Sequence, residues 1–192
     1  YLYFHILILI QKTINYKICK LAIYLYKFDN DVMNRKIILF LCGVLCFTAL
    51  MCDAKMSVQS NKLYNSAISK EQEGNYNQAL DYILEALKYS PEDAVLNIKL
   101  AGLYKNLGKV QEAISAYNKA ISLRPQDGFL YISLANLFMQ NYDYSNALLM
   151  YEKAQNIMSD YSYNYINIAN AKSLLGDYKG AIAAYEEFLK VY

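Results

Sequence analysis

The hydrophobic positions of residues 60–192 recur at intervals of three and four, the spacing that places apolar side chains on one face of an α-helix. One representative stretch has apolar residues at Val110, Ala113, Ile114, Tyr117, Ala120 and Ile121. The pattern predicts four pairs of helices joined by short turns. The first helix of each pair is expected at 60–73, 94–107, 128–141 and 162–175, and the second at 76–89, 110–123, 144–157 and 178–191.

The four predicted helix pairs share a sequence period of 34 residues. When the chain is divided into copies at 60–93, 94–127, 128–161 and 162–192, small residues fall in register. Two alanine columns are intact over four copies, and a third is intact over three and has Phe188 in the last copy. The columns are Ala67, Ala101, Ala135 and Ala169; Ala79, Ala113, Ala147 and Ala181; and Ala86, Ala120 and Ala154.

Glycine, proline and aspartate predict the turns between these helices. Three copies have glycine after the first helix, where a positive φ costs glycine little: Gly74, Gly108 and Gly176. Tyr142 takes this position in the third copy. Pro91 and Pro125 cannot continue a helix and are expected to separate copies, while Asp93 and Asp127 are expected to cap the helices that follow.

The small and aromatic residues predict how the helix pairs pack. Helix axes that approach to ~8–10 Å need small side chains at the closest point, and the alanine columns supply them. The rings of Tyr117, Tyr151 and Tyr185 are expected to fill the space between copies, and Tyr131 and Tyr165 are expected to pack in the core. Because one helix pair buries too little apolar surface to be stable alone, the copies are expected to stack.

This combination of features resembles the tetratricopeptide repeat (TPR) family. The resemblance covers residues 60–192 and rests on the period, the small residues of both helices, the glycine between them and the closing proline. Leu63, Asn97, Tyr131 and Tyr165 occupy the position of a usual large aromatic residue. The resemblance implies an all-α, TPR-type helical-hairpin solenoid of about four repeats, preceded by a hydrophobic N-terminal segment.

The resemblance also implies where a partner would bind. In the family, the first helices line a concave side. The second, fifth, ninth and twelfth residues of each repeat contact the partner there. These positions, called the first-helix face below, are Asn61, Tyr64, Ile68 and Glu71; Val95, Ile98, Gly102 and Lys105; Phe129, Ile132, Asn136 and Met139; and Tyr163, Ile166, Asn170 and Ser173. The residues expected to contact a partner are Tyr64, Ile68, Ile98, Lys105, Phe129, Asn136, Met139, Tyr163 and Asn170.

The chemistry of the first-helix face favours an extended peptide ligand. Asn136 and Asn170 each offer a hydrogen-bond donor and an acceptor, and Tyr64 and Phe129 could anchor a partner by stacking. The family's best-understood groove holds the C-terminal carboxylate of a chaperone with paired Lys and Asn residues in its first repeat. The resemblance places Tyr64 and Ile68 at those positions, so we expect no chaperone-tail recognition of that type.

The segment before residue 60 has a different character. From Met33, the sequence MNRK supplies a start residue and two cations, and residues 37–52 then run for sixteen residues without a charge. This order is typical of an export signal, and sixteen residues fall short of the ~20 that span a bilayer. A cleaved signal, a retained membrane anchor and a buried helix all remain open for residues 33–54. With Met33 as the start, residues 1–32 are an upstream or unstructured extension.

The end of this apolar segment offers two cleavage sites. The sequence TALMC resembles a relaxed bacterial lipobox with Cys52 as the lipidated residue, although Met51 is larger than the residue usual there. The other site follows Ala54. Both place the remainder of the chain outside the cytoplasm, and lipidation of Cys52 would hold it on a membrane surface.

Composition limits the chemistry of the repeats. All four cysteines and the single His5 precede residue 60, so the repeats cannot build a Cys/His zinc site or a thiol or histidine catalytic centre. Residues 60–192 carry twelve Lys/Arg and fourteen Asp/Glu, a balance that disfavours nucleic acid as a partner. The sequence shows no general acid–base pair, so we expect no enzyme, metal or cofactor.

These features predict a binding protein. We expect an exported, bacterial cell-envelope scaffold or adaptor that holds a protein or peptide and contacts the membrane through its N-terminal segment or a lipid. An anchored accessory subunit of an envelope enzyme or secretion machine is the alternative, and a cytoplasmic TPR protein is a third. Ile182, Tyr185 and Leu189 would leave an apolar strip on the last helix, where a second copy could bind.

Overall fold

The computed structural model of the chain describes residues 57–191. In this part of the chain there are eight α-helices and no β-strand. The helices are α1 (57–72), α2 (Tyr76–Tyr89), α3 (Ala94–Asn106), α4 (Val110–Leu123), α5 (Gly128–Gln140), α6 (Tyr144–Ile157), α7 (Tyr163–Leu174) and α8 (Tyr178–Val191). The predicted extension at 1–32, the predicted signal or anchor at 33–54 and Cys52 lie outside the described residues.

The chain divides into two compact units. The first is Tyr1–Lys62 with Lys88–Ser90, and the second is Leu63–Leu87 with Pro91–Tyr192. Only residues 57–62 and 88–90 of the first unit are described. The second unit contains most of the helices, and in it helices that follow one another along the chain pack together from α3 to α8. The predicted all-α helical-hairpin architecture is therefore confirmed.

The second helix of every pair has the bounds predicted from the hydrophobic pattern. The first helices α3, α5 and α7 end one residue earlier than predicted, at Asn106, Gln140 and Leu174. Each of these helices ends there because the residue that follows it is its C-terminal cap. Leu107, for example, caps α3 and donates its N–H to the carbonyl of Leu103 at 3.0 Å.

All four turns inside the helix pairs contain a residue with positive φ. The glycines predicted for this role have φ values of 75°, 71° and 83°: Gly74, Gly108 and Gly176. Tyr142 has a φ of 61° at the same position, where a side chain costs about 1–2 kcal/mol. Its turn still closes, because the N–H groups of Tyr142 and Asp143 bond to Met139 and Phe138 at 3.1 and 2.9 Å.

The predicted aspartate caps are also confirmed. The Asp93 carboxylate accepts from the N–H groups of Val95 and Leu96, and the Asp127 carboxylate accepts from the N–H of Phe129. These bonds satisfy donors that the first turn of a helix leaves without partners. They therefore fix where α3 and α5 begin, and with them the register of the first-helix face.

Alanines occupy the interior at the predicted columns. Every alanine of the three columns is fully or almost fully buried. Tyr117 and Tyr151 are buried as predicted, and Tyr131 and Tyr165 are half-buried. Of the two predictions for Tyr185, packing between copies is wrong, whereas exposure on the apolar strip of the last helix is confirmed: its side chain is 39% exposed, because no further helix covers α8 within residues 57–191.

Candidate partner-binding surface

The residues predicted to contact a partner lie on four helices, and they differ in exposure. Tyr64 and Ile68 on α1, Ile98 on α3 and Met139 on α5 are half-buried. The exposed members are Lys105 on α3, Phe129 and Asn136 on α5, and Tyr163 and Asn170 on α7. Four of the five exposed members therefore belong to repeats 3 and 4.

Two asparagines of this surface are tied to tyrosines of the second helices. The hydroxyl of Tyr151 on α6 donates to Oδ1 of Asn136 at 2.5 Å, and the hydroxyl of Tyr185 on α8 donates to Oδ1 of Asn170 at 2.6 Å. Both pairs are separated by fifteen residues, so they are the same contact made in consecutive repeats. Each bond joins the two helices of one pair at the first-helix face.

The first two repeats lack this contact. At the asparagine position, repeat 1 has Ile68 and repeat 2 has Gly102. Repeat 2 keeps the buried Tyr117, but Gly102 has no side chain to receive its hydroxyl, and a Cβ added at Gly102 would meet nothing within 4 Å. The Tyr–Asn pairs therefore distinguish repeats 3 and 4 from the repeats before them.

Each pair fixes the orientation of its asparagine amide. Burial raises the pKa of Tyr151 to about 12, so its hydroxyl is protonated and can donate at every physiological pH. Because the tyrosines bond to Oδ1, the Nδ2 groups of Asn136 and Asn170 each keep two N–H donors. Among residues 57–191, no acceptor lies in hydrogen-bond contact with these Nδ2 groups, and both side chains are exposed.

Aromatic rings form a row at the start of α5 and α7. Phe129 meets Tyr161 edge to face with ring centroids 5.3 Å apart, and Tyr161 lies 6.2 Å from Tyr163. Tyr163 lies 5.6 Å from Phe188 on α8, the residue that replaces alanine in the third column. Phe129 and Tyr163 remain 55% and 51% exposed, so a partner could stack on both.

The aromatic row and the asparagines lie on the same face of their helices. Phe129 and Asn136 are seven residues apart, as are Tyr163 and Asn170, and seven residues make two turns of about 10 Å. The half-buried Ile132 lies between the members of the first pair, one turn from each. Repeat 3 thus presents an aromatic ring, an aliphatic side chain and an amide in that order along the helix. Repeat 4 has the same order.

Charge is scarce on this surface and partly neutralised. Nζ of Lys99 on α3 lies 2.8 Å from a carboxylate oxygen of Glu71, the twelfth residue of repeat 1. Both side chains are only about a quarter exposed. The cation and the anion therefore satisfy each other, and the exposed Lys105 adds a positive charge near the end of α3.

A groove that the sequence analysis did not single out lies between α6, α7 and α8. It has a volume of about 440 Å³. Its lining residues are Glu152, Gln155, Asn156, Tyr165, Ile168, Lys172, Gly180, Ala183, Ala184 and Glu187. The small residues of α8 leave this space open. A glycine and two alanines within five positions are the signal that could have indicated it.

The described part of the chain, residues 57–191, holds no group of three or more His, Cys, Asp or Glu side chains that could bind a metal ion. None of its helices combines the length and apolar character needed to cross a bilayer.

The helix pairs and their turns agree with comparisons at the family level. A tetratricopeptide repeat model matches residues 71–137, and a second model of the same description matches residues 162–192. The two matches together cover half of the chain. The chain belongs to the tetratricopeptide repeat family. As a TPR protein, it carries a fold that serves protein–protein interaction.

Solved structures show the same fold at low sequence identity. The crystal structure of MamA protein aligns with 68% of this chain and 72% of its own, at 20% identity and a TM-score of 0.63. A tetratricopeptide repeat protein from Parabacteroides merdae aligns at 69% and 53%, with 18% identity and a TM-score of 0.65. The first TPR of Spaghetti (RPAP3), bound to HSP90 peptide SRMEEVD, aligns at 62% and 95%, with 19% identity and a TM-score of 0.57. No curated protein matches the sequence.

Proposed function

We propose that this TPR protein is a scaffold or adaptor that holds an extended segment of a partner protein on the first-helix face of repeats 3 and 4. The observation that carries the proposal is the Tyr–Asn pair made in both repeats. A donor held in one orientation before binding loses less entropy when a ligand arrives, and this favours affinity.

The similar domain that is bound to a peptide supports this kind of partner. That structure carries SRMEEVD, a peptide with three acidic residues. The first-helix face here offers such a peptide little positive charge, because Lys105 is its single cation and the nearby Lys99 is already paired with Glu71. We therefore propose a ligand that is recognised through its main chain and apolar side chains, and no recognition of an acidic C-terminal tail.

The location of the protein forms a separate part of the proposal. The basic and apolar segment at 33–54 supports export, and Cys52 supports a lipid anchor on the cell envelope. Mass spectrometry of the purified protein's N-terminus tests this directly. A mature chain that starts with a diacylated Cys52 is expected, and Cys52→Ala should abolish the lipid. A soluble chain that still begins near Met33 would contradict export.

The binding surface is tested by capture from solubilised membranes of the source cells with the full chain as bait. The test variant combines Phe129→Ala, Asn136→Ala and Asn170→Ala. The matched control combines Leu149→Ala, Asn118→Ala and Asn156→Ala, which remove one large apolar side chain and two asparagine amides from exposed positions of second helices. Circular dichroism of all three proteins verifies that each is folded.

The proposal expects a partner that is retained by the parent chain and by the control but lost by the test variant. Equal retention by all three chains would place binding elsewhere and overturn the assignment to the first-helix face. Loss of the partner by the control alone would move the site to the second helices. The groove between α6 and α8, which Asn156 lines, would then be the surface to examine.

Self-association is the last part of the proposal. Ile182 and Leu189 on α8 are 59% and 65% exposed, and exposed apolar side chains favour contact with another copy. Sedimentation of the full chain is expected to show a dimer that Ile182→Ser with Leu189→Ser dissociates. A parent chain that is monomeric at high concentration would remove this idea.

A further inference from the structure

We infer that the segment held on repeats 3 and 4 is proline-rich and binds as a left-handed polyproline II helix. The inference rests on the proposed function and names the chemical class of the ligand. It follows from the hydrogen-bond groups that the Tyr–Asn pairs leave available, from the aromatic row, and from the spacing between repeats.

The first argument concerns donors and acceptors. An unpaired asparagine amide matches an ordinary peptide backbone, since both offer one donor group and one acceptor. In Asn136 and Asn170 this balance shifts towards donors, because the hydroxyls of Tyr151 and Tyr185 occupy one lone pair of each Oδ1. Each amide then keeps two N–H donors and a single acceptor lone pair. A backbone that is rich in proline has carbonyl acceptors and few N–H groups, so its hydrogen-bond groups complement this surface.

The second argument concerns the rings. Prolyl rings pack on aromatic side chains, and this is how aromatic-lined grooves recognise polyproline II segments. Phe129 and Tyr163 provide two half-exposed rings, and Tyr161 contacts Phe129 edge to face and Tyr163 in a tilted arrangement. A polyproline II ligand is already extended before it binds, so it pays little entropy to be ordered along this row.

The third argument concerns spacing. A polyproline II helix has three residues per turn and rises ~3.1 Å per residue, so it presents the same face about every 9 Å. Phe129 and Tyr163 lie no farther apart than their distances of 5.3 and 6.2 Å to Tyr161 laid end to end. The rise of one turn of such a ligand falls within this limit, so one turn can reach from Phe129 to Tyr163.

The surface also lacks features that would favour other extended ligands. Ile132 and Ile166 lie between the rings and the amides, and no charged residue belongs to the first-helix face of repeats 3 and 4. A charged peptide would lose hydration there without gaining an ion pair. Proline suits this apolar surface, because its side chain is uncharged and closes a ring onto its own backbone nitrogen.

Fluorescence anisotropy of the full chain tests the inference. The probe is a fluorescein-labelled oligoproline of nine residues, compared with a labelled Ser/Ala peptide of equal length. The test variant is Asn136→Asp with Asn170→Asp, which keeps an oxygen for each tyrosine but replaces the outward N–H donors with acceptors. The control is Asn118→Asp with Asn156→Asp, which adds the same charge to exposed positions of second helices.

We expect oligoproline to bind the parent chain and the control, with about tenfold or greater loss in the test variant and weaker binding of the Ser/Ala peptide. Equal or tighter binding of the Ser/Ala peptide, lost in the test variant, would overturn the proline-rich ligand while leaving peptide binding on this face intact. Oligoproline affinity that the test variant does not change would overturn the site. Absence of oligoproline binding to the parent chain at millimolar concentration would also overturn the inference. The proposed function would then be tested separately, by the capture experiment.

Discussion

At the ninth residue of the first helix, repeat 2 has Gly102, whereas repeats 3 and 4 have Asn136 and Asn170. Beneath that position the repeats are alike, since Ala101, Ala135 and Ala169 are all fully buried. The comparison teaches that repeats with the same buried residues can carry different surfaces. The buried residues determine how the two helices pack. The exposed residue at the ninth position then determines whether the helix pair also holds a side-chain amide in one orientation.

The largest effects are expected in the shared interior. Leu103 in repeat 2 and Leu137 in repeat 3 are equivalent residues, and both are buried. Leu103→Ala and Leu137→Ala should each lower the free energy of unfolding by about 2–5 kcal/mol, because each removes buried methyl groups and leaves a cavity. Urea unfolding followed by circular dichroism measures both. Costs that differ by several kcal/mol would contradict the common interior plan.

A smaller effect is expected where repeat 4 departs from this plan. Its third residue is Asn164, fully buried, where repeats 2 and 3 have the buried Leu96 and Leu130. Nδ2 of Asn164 donates to the carbonyl of Tyr151 at 2.8 Å, but its Oδ1 is without a partner among residues 57–191. A buried oxygen in this state costs free energy.

Asn164→Leu should therefore be more stable than the parent by about 1–3 kcal/mol, because leucine buries apolar surface and removes the unsatisfied oxygen. Thermal unfolding of the variant and the parent measures the difference. The reciprocal change Leu96→Asn is the control and should destabilise repeat 2. A leucine variant that unfolds more readily than the parent would show that the amide stabilises repeat 4.

The Tyr–Asn pair should contribute about 1 kcal/mol to stability. Tyr151→Phe removes the hydroxyl that donates to Asn136, so it should lower the free energy of unfolding by that amount. Tyr117→Phe in repeat 2 is the matched control, because Gly102 offers no side-chain acceptor there. Chemical unfolding at neutral pH gives both values. Equal costs in the two repeats would contradict a stabilising role for the pair.

Alkaline pH should affect the same tyrosine. The pKa of Tyr151 is raised from 10.0 to about 12, chiefly because burial disfavours the phenolate. The folded state therefore resists ionisation more than the unfolded state does. The contribution of Tyr151 to the free energy of unfolding is therefore fully present below pH 10, and it is lost as the pH rises towards 12.

The free energy of unfolding of the parent should consequently fall across that alkaline window, and Tyr151→Phe should make the fall shallower. Burial also raises the pKa of Tyr117, so part of the slope should remain in this variant. Urea unfolding at a series of alkaline pH values measures the slope. An unchanged slope would show that Tyr151 ionises as easily in the folded chain as in the unfolded one.

The smallest effect is expected at the turn inside repeat 3. Tyr142 has a positive φ and is 80% exposed, whereas the equivalent residue of repeat 2 is Gly108. Tyr142→Gly should raise the free energy of unfolding by about 0.5–1 kcal/mol, because it relieves the steric cost of a Cβ in this conformation. Gly108→Ala should lower it by a similar amount. Thermal unfolding measures the melting temperatures of both variants. A change in the same direction for both would contradict this account.

The fold could be predicted from sequence because its signals are local. The bounds of the second helices follow from apolar spacing and from glycines that end the preceding turns. The capping roles of Asp93 and Asp127 follow from their place immediately before a helix. Each of these features depends on residues a few positions apart, and the 34-residue period repeats each of them in at least two copies.

The features of the candidate site were harder to predict because they depend on helix packing. Asn136 and Asn170 were expected to offer both a donor and an acceptor, but the tyrosines fifteen residues later engage the acceptor. The sequence gives the two columns without showing that they touch. The prediction that Tyr185 packs between copies was wrong for a related reason, since periodicity assumes that every repeat has a following neighbour.

The central claim is that a partner lies across the first helices of repeats 3 and 4. Photo-crosslinking in the source cells tests it most directly, with p-benzoylphenylalanine in place of Phe129 and, in a separate chain, in place of Leu149. Both positions are exposed, but Leu149 lies on the second helix α6. The account predicts an adduct from position 129 that Asn136→Asp with Asn170→Asp removes, and none from position 149. An adduct from position 149 alone would contradict it.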